Sequence, residues 1–247
     1  LADGTVILAG SKNRKDTSGL DLKEIVIGSE GTLAVITKCI LKLIPKPEAS
    51  LSVLVSYDSL KSGIESVRKI IKANLNPTAI EFVERKVVQL GEDFLHIEFP
   101  QPDAEAYLLL TFDGSRQEIE THLAGLQNVA RQSGAISVLE LQDKELSANV
   151  WRVRGILVKA VEAVSEQEPL DIVVPINQID TFINFVNRLE KEVNMRMNSC
   201  GAADCSPEKV CLIWDADPER CACLLQMTVT EFSVQTCQKK CCSQSGM

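Results

Sequence analysis

From residue 51 to residue 190 the hydrophobic period switches repeatedly between two and 3.6, so strands and helices must interleave. Leu51 to Tyr57 alternates as a strand, Leu60 to Ala73 repeats as a helix, Thr78 to Val83 is a strand and Arg85 to Leu90 a short helix. Beyond a polar stretch with Pro100 and Pro102, Ala106 to Phe112 reads as a buried strand, Arg116 to Gln132 as a helix, Ala135 to Leu139 as a strand and Lys144 to Val164 as a helix. Leu170 to Val174 and the helix Ile176 to Glu190 close the series. In that last helix Ile176, Ile179, Phe182, Ile183, Val186 and Leu189 fall at steps of three and four, forming one apolar stripe that must lie on a sheet. The expected architecture is an α+β domain, one sheet with helices packed on one face. A doubly wound sheet would show the same periodicity.

Residues 1–48 differ in texture, rich in Gly, Lys and β-branched residues, and end at Pro45-Lys46-Pro47, where two fixed φ angles and two missing N–H groups interrupt any regular element. This predicts three segments: 1–48, 49–195 and 196–247. Leu1-Ala2-Asp3-Gly4-Thr5-Val6 reads as a turn feeding a strand, without the charged and apolar regions of a signal peptide, and the chain reads as cut inside a domain.

Hydrophobic residues make up 45% of the 247, enough for a sizeable core. Lys plus Arg is 26 against 34 Asp plus Glu, a formal charge of −8, which argues against nucleic acid or an anionic membrane surface as partner. No apolar run approaches the ~20 residues of a membrane helix, so a soluble, cytoplasmic chain is expected. Cysteine is uneven: Cys39 stands alone, whereas Cys200, Cys205, Cys211, Cys221, Cys223, Cys237, Cys241 and Cys242 crowd the end. The body reads as a reducing-compartment protein. The tail has no Cys-x-x-Cys spacing, and it reads as a metal site, a disulfide cluster or a non-native end such as a shifted reading frame.

The stretch that carries chemistry is Lys15-Asp16-Thr17-Ser18-Gly19-Leu20-Asp21-Leu22, followed by Gly28-Ser29-Glu30-Gly31-Thr32-Leu33-Ala34-Val35-Ile36-Thr37. Glycines at 28 and 31 let backbone N–H groups approach a ligand, Ser29 and Thr32 add hydroxyls, and the apolar run can continue as a strand beneath a flat ring. By themselves the same residues also read as a tight turn before a strand.

Taken whole, this stretch resembles the end of the FAD-binding domain of the vanillyl-alcohol oxidase and p-cresol methylhydroxylase family. The likeness is greatest to the glycolate oxidase flavoprotein subunit and the D-lactate and D-2-hydroxyglutarate dehydrogenases. Leu20 stands for a usual Tyr and Ala34 for a usual Gly, and Leu41-Lys42-Leu43-Ile44-Pro45-Lys46-Pro47 supplies the family's ending. The resemblance implies that Gly28, Ser29, Glu30, Gly31, Thr32, Val35 and Ile36 line the flavin, with Asp16 and Gly19 nearby. Residues 1–48 would then be the C-terminal part of the FAD-binding domain, and 49–195 an incomplete substrate, or cap, domain. Pro77-Thr78-Ala79-Ile80-Glu81-Phe82 and Trp151-Arg152-Val153-Arg154 are similar to two cap segments. Arg154 is implied to grip a substrate carboxylate, a task suited to a planar guanidinium; alone it also reads as a solvated helix arginine. Asp171-Ile172-Val173-Val174-Pro175 resembles the strand that follows, but Pro169 stands where some members carry a substrate-binding lysine.

The implied activity is an FAD-dependent 2-hydroxy-acid dehydrogenase or oxidase of glycolate or D-lactate type, an oxidoreductase acting on CH–OH groups. Hydride would pass from substrate C2 to flavin N5, and electrons onward to a redox partner protein, an iron–sulfur subunit or an electron-transfer flavoprotein. The family's Gly-His-x-Gly-Asp-Gly-Asn-x-His segment and later Glu-His, which supply metal ligands and a base, have no counterpart here. The two histidines, His96 and His122, read as surface or capping residues, so no catalytic or metal residue is assigned and the chain is expected to be incomplete as an enzyme. Two alternatives stand beside this reading: an ether-lipid synthase-type flavoenzyme, and a catalytically silent cysteine-rich metal-binding or subunit-interaction protein.

Overall fold

The computed structural model describes residues 1–13, 15, 17, 19–173, 178–193, 196–202, 209–216, 225–228 and 233–236. The chain divides into two compact units, Leu1–Lys46 and Pro47–Met247.

In the first unit the regular element is α1 (Leu22–Val26), a single turn without a side-chain cap. The expected turn at the start is present: Gly4 has φ +82° and its N–H donates to the Leu1 carbonyl at 3.1 Å. The strands expected after it and along the apolar run that follows Thr32 are not; among the described residues this unit has no strand. A strand is stable only where a neighbour takes its N–H and C=O groups, and alternation alone supplies none. Val35, Ile36, Ile40 and Leu43 accordingly lie 58–87% exposed.

The second unit is built on an antiparallel sheet of β1 (Ala49–Tyr57), β2 (Ala79–Glu84), β3 (Ala106–Gly114), β4 (Ala135–Glu140), β5 (Glu166–Val173), β6 (Arg196–Ala202) and β7 (Lys209–Ala216). Their order is β4-β1-β3-β2-β6-β7-β5, which removes the doubly wound alternative. A separate hairpin pairs β8 (Leu225–Thr228) with β9 (Ser233–Thr236). Pro169 sits in β5, an edge of the large sheet, where a missing N–H costs no ladder bond on the open side. The sheet runs past residue 195, the limit set by sequence: β6 pairs with β2 and β7.

Helices cover both faces of the sheet, not one as expected. On the first face Val53, Val55, Ile80, Phe82, Leu108 and Leu110 pack with α2 (Leu60–Lys72), α4 (Arg116–Gln132) and α6 (Ile179–Val193). On the second, Leu54, Val83 and Leu109 pack with α3 (Arg85–Leu95) and α5 (Lys144–Glu162). This is why Leu108-Leu109-Leu110 is a continuous apolar run, since successive side chains enter opposite cores. The α6 stripe is buried at Ile179, Phe182, Ile183, Val186 and Leu189; Ile176 lies outside the described residues.

Local chemistry sets the helix limits. The Ser59 hydroxyl accepts the Ser62 N–H at the start of α2, Ser115 and Glu118 form a reciprocal capping box on α4, and Asp143 accepts the Leu146 N–H on α5. Helix α3 continues through Gly91 because α5 approaches closely there: a Cβ on Gly91 would sit 3.0 Å from a Val153 methyl. It ends at His96, which has φ +55° and caps the helix in a left-handed conformation.

Candidate active site

In the first unit, the Gly28–Thr32 turn is closed by two hydrogen bonds, from Ser29 N–H to the Val26 carbonyl at 3.1 Å and from Thr32 N–H to the Ser29 carbonyl at 2.9 Å. The Thr32 hydroxyl donates to the same Ser29 carbonyl at 2.6 Å. Gly28 and Gly31 have φ +79°, and Glu30 between them has φ +50°, a conformation uncommon outside glycine. A Cβ at Gly28 or Gly31 would meet nothing within 4 Å, so backbone is open to an approaching group on that side. The Ser29 Oγ is buried without a hydrogen-bond partner. Open backbone, an orphaned hydroxyl, and Val35 and Ile36 exposed at 77% and 58% together suit a flat, largely apolar ring with polar edges. Gly19 has φ +81° in equally open space, and Asp16 lies outside the described residues.

In the second unit, the Trp-x-x-Arg segment lies on α5 and ties that helix to the sheet at two points one turn apart. The Trp151 indole N–H donates to the Ser52 hydroxyl on β1 at 3.0 Å, and Ser52 lies 3.3 Å from the Thr111 hydroxyl on β3. The Arg154 guanidinium reaches β2, where Nε and Nη2 donate to one oxygen, Oε2 of Glu81, at 3.1 and 2.7 Å. The Arg154 side chain is 26% exposed and that of Glu81 14%. Arg154 is therefore not a solvated helix arginine. It belongs to a polar group, with Trp151, Ser52, Thr111 and Glu81, on a face otherwise lined by Leu54, Leu109, Val150, Val153 and Leu157. Sequence reading missed Ser52, Thr111 and Glu81 as members. The one signal is phase: Ser52 and Thr111 fall in step with Leu54 and Leu109 on the face that α5 covers, although the buried Ser56 shares that phase without joining the group.

A second polar group anchors β6. Glu84, at the end of β2, accepts the Ser199 N–H at 3.0 Å, and Glu190 on α6 accepts the Met197 N–H at 2.9 Å. The Lys86 ammonium pairs with both carboxylates at 3.4 and 3.3 Å and also donates to the Met197 carbonyl. Burial pushes the Glu84 carboxyl above its ordinary range, and Lys86 pulls it partway back. His122 lies against the Phe112 ring, centroids 5.8 Å apart, on the face opposite α5. Among the described residues no three His, Cys, Asp or Glu side chains gather as metal ligands.

Residues 46–222 match the family described as FAD linked oxidases, C-terminal domain. The chain belongs to the FAD-linked oxidases. The match passes residue 195 and takes in β6 and β7, as the sheet does. A D-lactate dehydrogenase of Anaerostipes hadrus is 37% identical over 210 residues, covering 82% of this chain and 44% of that protein. The glycolate oxidase subunit GlcD of Bacillus subtilis (strain 168) is 30% identical over 207 residues, covering 82% and 43%. The chain thus spans under half the length of these relatives. Among solved structures, an alkyldihydroxyacetonephosphate synthase superimposes with a TM-score of 0.60 at 16% identity, covering 81% of this chain and 42% of that one. A p-cresol methylhydroxylase with substrate bound gives 0.51 at 9%, covering 70% and 39%. These two likenesses establish the fold. FAD is the cofactor of the family, and no helix among the described residues is long and apolar enough to cross a membrane.

Proposed function

We propose that this FAD-linked oxidase chain supplies the flavin-facing turn and the carboxylate-binding arginine of a 2-hydroxy-acid dehydrogenase of D-lactate or glycolate type. The observation that carries the reading is Arg154, half-buried on Glu81 within the polar group on the α5 face of the sheet. A guanidinium held this way gives an incoming carboxylate two parallel charge-assisted bonds from a fixed direction. The Arg154 side chain is 26% exposed, so the guanidinium is partly withdrawn from water, which strengthens such bonds. Sequence relatives at 37% and 30% identity carry the names D-lactate dehydrogenase and glycolate oxidase subunit, which favours a small 2-hydroxy acid over an ether-lipid precursor.

Residues 28–32 would hold the ring system through the backbone left open at Gly28 and Gly31 and through the Ser29 hydroxyl, with Val35 and Ile36 beneath it. Bound FAD would supply a hydride acceptor, flavin N5, for the hydrogen on substrate C2. Arg154 binds and orients the acid so that C2 is presented in one pose. The hydroxyl proton is taken by a group other than this chain's two histidines, because His96 caps α3 and His122 packs on Phe112 across the sheet. Electrons pass on to an iron–sulfur subunit or an electron-transfer flavoprotein, in keeping with a relative named as a subunit. Cys39 is the lone cysteine before position 200, which fits a reducing cytoplasm.

The test is a fusion of this chain to the upstream flavin-domain half of the Anaerostipes hadrus D-lactate dehydrogenase. The fusion should retain FAD through gel filtration, and Gly31→Val should weaken that retention, because a β-branched residue is strained at φ +79°. A fusion that folds yet carries no flavin would refute the assignment.

A further inference from the structure

We infer that Glu81 is a positioning residue for Arg154, setting the plane in which the guanidinium meets the substrate carboxylate. The inference rests on the proposed role of Arg154 and extends it to a residue with no assigned part. An arginine side chain has many rotamers, and one helix-borne guanidinium could sweep a wide arc. Here a single carboxylate oxygen takes both Nε at 3.1 Å and Nη2 at 2.7 Å, which pins the side edge of the plane and halts rotation about its axis. Glu81 is itself immobilised: it lies inside β2, opposite Leu109 of β3 and Ala202 of β6. The Trp151 bond to Ser52, three residues earlier on α5, sets the height and rotation of the helix that carries Arg154. Restraint therefore runs from the sheet ladder through Glu81 to the guanidinium.

Position and charge make opposite predictions for two conservative variants. Glu81→Gln keeps an acceptor at the same reach and removes the charge; Glu81→Asp keeps the charge and withdraws the acceptor by one methylene. The readout is nitrogen-labelled arginine side-chain NMR of the full chain, with the Arg154 Nε–H signal assigned by Arg154→Lys, titrated with sodium D-lactate and sodium glycolate. In the unaltered chain the signal should be slow-exchanging and should shift with either acid. E81Q should bind within about threefold of it and keep the slow-exchanging signal, whereas E81D should bind about tenfold more weakly with a broadened one. Unchanged binding by E81D, or tighter binding by E81Q with E81D unaltered, would show that charge matters and position does not, overturning the inference alone. A restrained Arg154 signal that neither acid moves would instead overturn the carboxylate role of Arg154, and the inference with it.

Discussion

The carboxylate of Glu84 accepts the backbone N–H of Ser199 at 3.0 Å, so a side chain does for β6 what a neighbouring strand would otherwise do. Backbone pairing of β2 with β6 covers Glu81 to Val83 opposite Cys200 to Ala202, after which the chain turns into α3 at Arg85. The next two inward N–H groups of β6, at Ser199 and Met197, fall to Glu84 and Glu190, and Lys86 bridges the two acids.

Glu84→Gln should keep an acceptor for Ser199 while removing a buried charge. Burial raises the Glu84 carboxyl in the fold, so its contribution to stability is full below its unfolded value of 4.5 and is lost as pH rises through the folded one. Thermal unfolding should therefore show E84Q gaining on the wild type as pH rises above 4.5. Glu84→Ala, which strands the Ser199 N–H, should cost about 1–3 kcal/mol throughout. Parallel pH curves for wild type and E84Q would contradict this account.

Tyr57 donates to the Ser66 hydroxyl at 2.6 Å with both residues fully buried, and burial pushes the phenol up to about 12. Tyr107 is raised for the same reason, and the chain has 2 tyrosines. The native protein should therefore show no tyrosinate absorbance near the ordinary value of 10. Because the unfolded phenols ionise first, stability is full below 10 and falls as pH rises from there towards about 12. A normal tyrosinate titration of the folded chain would exclude the buried pair.

Trp151 and Ser52 should be coupled. Trp151→Phe and Ser52→Ala each remove one end of a 3.0 Å hydrogen bond, at a cost of about 1 kcal/mol apiece in urea unfolding. The double variant should cost less than the sum, because the second change no longer strands a partner. Strict additivity would mean that the bond does not hold α5 on the sheet.

Much of the second unit was legible because alternation and helical stripes are strong in it, above all in β3 and α6. The two-sided burial was encoded too, in Leu108-Leu109-Leu110, but a short apolar run cannot say which layer covers its second face. Residues 196–202 carried no readable period: Asn198 and Ser199 are polar at positions that pairing buries, and neither amide atom of Asn198 has a hydrogen-bond partner. Gly201 is needed there because a Cβ would fall 2.2 Å from the Phe82 ring, a contact between residues far apart in sequence. At the site, Arg154 stood out only through its motif. Its dependence on Glu81 is a strand-to-helix contact across 73 positions, which no local pattern announces.

The proposal has two parts, that Arg154 receives the carboxylate of a 2-hydroxy acid and that residues 28–32 line the flavin. Its most direct test is the flavin difference spectrum of the fusion protein during titration with D-lactate and glycolate, for the wild type and for Arg154→Ala. A saturable spectral change in the wild type, abolished in R154A while FAD stays bound, is the result expected. An identical change in both proteins would contradict the account.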